Sequence, residues 1–157
     1  MAKKILIAVD ESTSSMKAVK YVARGMDKTG SVTLLSIIPN AAAACDLDSR
    51  TLTPLFKQNR QAFCAIEDAK KDRVKGFMND AKQVLVEAGF SPKKIGVKIR
   101  KKKLGIARDI VKEAQRGKYT TLVIGRRGLS AVKQFFMGSV SNKIVQTAKN
   151  ISLIVVD

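Results

Sequence analysis

Ile5-Leu6-Ile7-Ala8-Val9-Asp10-Glu11-Ser12-Thr13-Ser14-Ser15-Met16 decides how this chain folds. Five consecutive apolar residues, ended by an aspartate, have the composition of a strand buried on both faces. Ser12 to Ser15 then offers helix N-caps, and Met16, Ala18, Val19, Val22 and Ala23 recur at helical spacing until Gly25 and Gly30 close the run. Val32 to Ile38 is a second apolar strand, stopped by Pro39 and Asn40. Strand, helix, strand is how a parallel sheet begins, because parallel neighbours need a long crossover.

The alternation continues. From about Arg60 to Ala88, Phe63, Ile66, Val74, Phe77, Met78, Ala81, Val84 and Leu85 share mainly one helical face, and Gly89 sits where a C′ glycine belongs. Ile95 to Ile99, Thr120 to Ile124 and Ile151 to Val156 have strand character. Ile106 to Ala114 and Ser139 to Ala148 have helical character. Residues 39 to 59 hold Pro39, Pro54 and an alanine run without a period, and are expected to form an irregular connection or mobile flap with one helical turn. Five strands alternating with four helices predict an α/β fold: a single doubly wound, Rossmann-like domain over residues 1–157 with a mostly parallel sheet. Ligands in such sheets bind beyond the strand carboxyl ends at a switch point, where Asp10, Ile37 and Gly125 are expected to face one crevice.

Composition narrows the chemistry. The chain has no histidine and two cysteines, Cys45 and Cys64, without a C-x-x-C pair, which excludes Cys/His zinc sites and His-dependent triads. A reducing cytosol is the simplest compartment, with the cysteines as small apolar fillers. The first apolar run is too short for a secretory segment or a membrane span, so a cytoplasmic location is expected. The formal net charge is +17, and it is uneven: residues 1–78 carry +5 and residues 79–157 carry +12. Its densest part is Lys93, Lys94, Lys98, Arg100, Lys101, Lys102 and Lys103. Such a run holds polyanions or is a solvated face; without interleaved aromatics, base-specific recognition of single strands is not expected.

Gly125-Arg126-Arg127-Gly128 and Gly138-Ser139-Val140-Ser141 flank a segment that joins the fourth strand to the last helix. Glycines permit close backbone approach, helix-start N–H groups attract anions, and Arg126, Arg127 and Lys133 add charge. Ser139 and Ser141 add hydroxyls. The plainer reading is an ordinary strand-to-helix turn with Ser139 as a cap. The strand-end position favours a phosphate cradle.

The order of elements and the spacing Gly125-x-x-Gly128-(nine residues)-Gly138-Ser139 resemble the ATP-binding subclass of the universal stress protein family, over essentially the whole chain. The opening strand with its acidic turn, the strand Val32 to Ile38 and the closing strand Ile151 to Val156 resemble the family's own. The resemblance implies an adenine nucleotide alpha hydrolase-like fold that binds ATP, with Mg²⁺ held at Asp10. Ala8 and Ile37 would line the adenine side, Asp10 would lie near ribose or metal, and Gly125, Gly128, Gly138, Ser139, Val140 and Ser141 would cradle ribose and phosphate. It also implies a homodimer through the last strand. Two departures stand out: Ser36 where many relatives carry His, and the pair Arg126-Arg127 where many carry one cation. The second arginine either grips phosphate or joins the basic surface. Asp10 equally suits a plain turn residue, and Ile37 plain core.

The implied function is a nucleotide-responsive regulatory or stress-response module with an unidentified partner. Alternatives are a slow ATPase or nucleotidyl transferase, and a polyanion- or nucleic-acid-binding protein acting through residues 93 to 103. The chain lacks the G-x-x-x-x-G-K-[ST] and G-x-G-x-x-G loops, which weighs against turnover as its main role.

Overall fold

The computed structural model of the chain describes residues 2–40, 45, 53–127 and 137–157. Their order is β1 (Lys4–Ala8), α1 (Thr13–Gly25), β2 (Ser31–Ile38), α2 (Pro54–Glu87), β3 (Ile95–Lys101), α3 (Ile106–Arg116), β4 (Thr121–Gly125), α4 (Ser139–Thr147) and β5 (Ser152–Val156), with a 3₁₀ turn at Pro92–Lys94. The strands form one sheet in the order β3-β2-β1-β4-β5. Every pairing is parallel, with Ala8 level with both Leu35 and Ile124. The α/β doubly wound fold expected from the alternation is therefore present. The chain runs outward from β1 in both directions, and the switch point lies at the ends of β1 and β4.

Two apolar layers follow from the pleat. Ile5, Ile7 and Val9 of the first strand segment join Val32, Leu34 and the helices α1 and α2; Leu6 and Ala8 face Leu35, Leu122, Ile124 and the helices α3 and α4. In α1, residues Ser15, Ala18, Val19, Val22 and Ala23 form the buried stripe, and Ser12 caps its start by accepting from the Ser15 N–H at 3.2 Å. In α3 the stripe is Ala107, Ile110, Val111 and Ala114.

The second helix begins at Pro54, not near Arg60. Thr53 is its N-cap and Pro54 its first residue, so the proline counted in the expected irregular connection instead starts the helix, where its missing N–H costs nothing. The rest of the expected flap lies outside the described residues, apart from Pro39, Asn40 and Cys45. At its other end α2 closes on a Schellman motif: Gly89, at φ +103°, donates to Val86 O, and Phe90 donates to Leu85 O. Met78, Ala81 and Leu85 anchor this end, whereas Leu55, Phe56, Phe63 and Ile66 are exposed at the start.

The cysteines are not separate fillers. Cys45 and Cys64 form a disulfide that ties the segment after β2 to α2. Closing a loop of 19 residues should stabilise the chain by about 3 kcal/mol through the unfolded state. A reducing compartment would open that link.

The outer strand β3 is held to α3 by Lys98, whose Nζ lies 2.5 Å from Glu113 Oε1. The hydrogen bond from Lys98 holds the Glu113 carboxyl below its usual range against the opposing effect of burial, and the bond to Glu113 raises Lys98. A lowered carboxyl stabilises the fold above its unfolded pKa and loses that contribution as pH falls through the folded value. The raised lysine contributes below its unfolded pKa, and that contribution is lost only as pH rises through its still higher folded value.

Two outcomes are expected. Glu113→Gln should cost about 1 kcal/mol at neutral pH, the pair being partly screened by Lys98's exposure. Urea unfolding should show this difference shrink as pH falls below the ordinary carboxylate range; a constant difference would reject the ionic origin. Thermal unfolding with and without reductant should separate by several degrees, with Cys64→Ser insensitive to reductant.

Candidate functional site

The strand ends at the switch point border a half-open cavity of about 100 Å³. It is lined by Ala8 at the end of β1 with Val9 and Asp10 after it, by Ile37 on β2, by Ile124 and Gly125 on β4, and by Ile106 and Ile110 of α3 with Val140, Ser141 and Ile144 of α4. Ser15 and Arg127 complete it. Seven of the residues singled out from the sequence are thus brought together: Ala8, Asp10, Ile37, Gly125, Arg127, Val140 and Ser141. Gly138 and Ser139 begin α4 without lining the cavity, and Gly128 and Lys133 lie outside the described residues.

Gly125 is required by packing. A Cβ there would stand 2.8 Å from the backbone and Cβ of Ser14, so β4 ends against the first turn of α1 only because that position is bare. The next residue turns outward: the Arg126 N–H donates to Val156 O at 2.7 Å, and its guanidinium meets Asp157 Oδ1 at 2.8 Å. Arg126 is therefore a clamp on the end of β5, and Arg127 is the arginine that lines the cavity. That divides the tasks of the two consecutive cations.

Asp10 has the turn geometry. Its Oδ1 accepts from the Ser12 N–H and from Ser15 Oγ, each at 2.9 Å, while its own N–H donates to Ser15 Oγ at 2.9 Å. Ser15, whose part was not legible from the N-cap signal alone, fixes the carboxylate at the cavity. Asp10 is the carboxylate among the described residues that line the cavity, and Mg²⁺ commonly takes one or two protein carboxylates and completes its shell with phosphates and water. This donor set fits a phosphate-bound Mg²⁺.

The start of α4 has the features of an anion site. Gly138 is the N-cap and supplies no capping side chain, and the first intrahelical bond runs from the Asn142 N–H to Gly138 O. The N–H groups of Ser139, Val140 and Ser141 thus precede the helical ladder beside the cavity. Ser141 is buried, and its hydroxyl donates to Gly125 O at 2.8 Å. Its proton ties α4 to the end of β4, so the residue positions the helix start and does not itself donate to a ligand. Ser36 is buried in β2 and is not among the lining residues. The apolar contributors Ile106, Ile110, Ile124 and Ile144 fall within expected helices and a strand and are not singled out by the sequence, since periodicity does not separate a core wall from a cavity wall.

Solved structures share this architecture. Universal stress protein UspA from Lactobacillus plantarum is 20% identical, with 99% of this chain and 97% of that one covered at a TM-score of 0.69. A universal stress protein from Archaeoglobus fulgidus in complex with dAMP is 17% identical, covering 99% and 98% at 0.61. A universal stress protein in complex with cAMP is 16% identical, covering 99% and 96% at 0.62. At these identities the likeness establishes the fold. No curated protein matches the chain. No described helix is long and apolar enough to cross a membrane. Residues 1–156, which carry the parallel sheet and its strand-end cavity, match the Universal stress protein family model, and the chain belongs to that family.

Proposed function

We propose that this chain, as one domain, binds an adenine nucleotide, ATP with Mg²⁺, and acts as a cytoplasmic nucleotide-responsive regulatory module of the stress response. The observation that carries this reading is the uncapped N-terminus of α4 opening beside a cavity that holds Asp10 and Arg127. Family members with dAMP and cAMP bound support the adenine class. In this reading Ala8 and Ile37 pack against the base, and Gly125 leaves room at the strand end. The triphosphate lies along the N–H groups of Ser139, Val140 and Ser141, with Arg127 opposite. The cavity is open on one side and smaller than the roughly 300 Å³ at which ligand sites begin, so the phosphates extend beyond it. Mg²⁺ would supply charge neutralisation between the phosphates and Asp10.

The edge strands differ in a way that supports a homodimer. On β3, Lys98, Arg100 and Lys101 guard the edge with charge, whereas Ser152, Leu153, Ile154, Val155 and Val156 leave β5 uncharged. Pairing through β5 would satisfy that edge.

Calorimetric titration of nucleotide-stripped protein should give micromolar binding of ATP with Mg²⁺ and binding about tenfold weaker for AMP. Gly138→Val should weaken ATP binding at least about tenfold by blocking approach to the helix start, with the melting transition retained. Normal ATP affinity in that variant would move the cradle elsewhere. Sedimentation should show a dimer that Val155→Lys converts to monomer; a monomeric parent protein would remove β5 as the interface.

A further inference from the structure

Outside that cavity, and touching it at Ile37, β3 and α3 enclose a groove of about 700 Å³. Its walls carry six cations, Lys98, Arg100, Lys101, Lys103, Lys112 and Arg116, against two carboxylates, Asp109 and Glu113. Both carboxylates are engaged. Glu113 holds Lys98, and Asp109 accepts from the Lys103 N–H at 2.7 Å and the Leu104 N–H at 3.1 Å, which pins the turn between β3 and α3. The five other cations are exposed, and none of them belongs to an ion pair among the described residues. The surplus of four positive charges is therefore uncompensated and self-repelling, and an anionic occupant would relieve it.

Guarding a sheet edge would account for charge on β3 alone. It does not account for Lys112 and Arg116, which meet the same groove from α3. Cations from a strand and a helix that meet at one groove ask for a ligand that presents negative charge to both elements. No aromatic side chain lines the groove among the described residues, and its apolar side chains are Ile37 and Leu104. Nothing there stacks on a base. A flexible single strand can bend its phosphates into a half-open groove, which a stiff duplex cannot follow as closely.

We propose that the groove between β3 and α3 binds the phosphodiester backbone of single-stranded nucleic acid without regard to base sequence. The contacts are charge contacts, with the backbone as the sole determinant. Neutralising about four phosphates sets a slope of about −3 for log affinity against log salt on a single strand.

Fluorescence anisotropy with a labelled oligothymidylate and a mixed-sequence RNA of equal length tests this on the full chain. The two strands should bind alike, with that slope. Replacing Lys101, Lys103 and Lys112 together by Gln should weaken binding at least about tenfold at low salt and flatten the slope to about −1. Replacing Lys17, Lys20 and Lys75 by Gln removes the same charge from α1 and α2 and should change affinity by less than about twofold, because those helices cover the other face of the sheet. Equal losses in the two variants would overturn the groove in favour of net charge. Tighter binding of a duplex, or of inorganic polyphosphate of equal charge, would overturn the single strand as occupant. Displacement by adenosine, which carries no phosphate, would place the strand in the nucleotide cavity instead; retention in its presence supports a separate site.

Discussion

The bare α-carbon of Gly125 against Ser14 is the constraint on which the strand-end cavity depends. It lets the end of β4 close on the first turn of α1, beside the Asp10 turn that Ser12 and Ser15 fasten. The Gly125 carbonyl then receives the Ser141 hydroxyl, which sets where α4 begins. A second tether, from the Gly138 N–H to Arg126 O at 2.9 Å, fixes the same helix start from the other side. Any side chain at position 125 would push β4 away from α1 and carry the helix start with it. The orientation of the uncapped N–H groups is thus inherited from a packing contact on the opposite side of the strand.

Charge is distributed by a similar economy. With 30 basic and 13 acidic side chains, the carboxylates are the scarce partners. Two of them fix backbone turns, Asp10 into α1 and Asp109 into α3, and two hold cationic side chains, Glu113 that of Lys98 on the outer strand and Asp157 that of Arg126. Arg126 is drawn to the sheet edge by that last pair, which leaves Arg127 as the arginine at the cavity. Some of the remaining cations bond backbone carbonyls, as Lys4 does at Gly117 and Lys94 at Thr29, and a cluster without ion-pair partners among the described residues gathers where β3 meets α3.

Much of this was legible from the residues. Ile5 to Val9 and Val32 to Ile38 are continuous apolar runs because both faces of the strands are covered, and the stripes of α1 and α3 follow the helical period closely. The start of α2 was not, because Thr53-Pro54 is a start signal only if a helix follows, and the exposed Leu55, Phe56, Phe63 and Ile66 blur the period that would announce one. The pairing of Cys45 with Cys64 depends on how the chain returns to α2, which no local pattern encodes. Asp10, Gly125 and Val140 could be grouped from their places at strand ends and a helix start. The separate fates of Arg126 and Arg127 could not, since they turn on which neighbour supplies a carboxylate.

Ile37 joins the two concave surfaces, lying at the carboxyl end of β2 as a wall of both. In the proposed placement it is the uncharged adenine that Ile37 separates from the groove, while the triphosphate lies at the start of α4 beside Arg127. At physiological salt, charges are screened beyond about 8 Å, and a neutral base at the shared wall adds little repulsion toward a phosphate chain beyond it. Linkage between two sites requires a differential binding free energy, equal in both directions, and this arrangement supplies only a small one. The two readings together therefore imply sites that fill largely independently: nucleotide occupancy would leave a bound strand in place across Ile37.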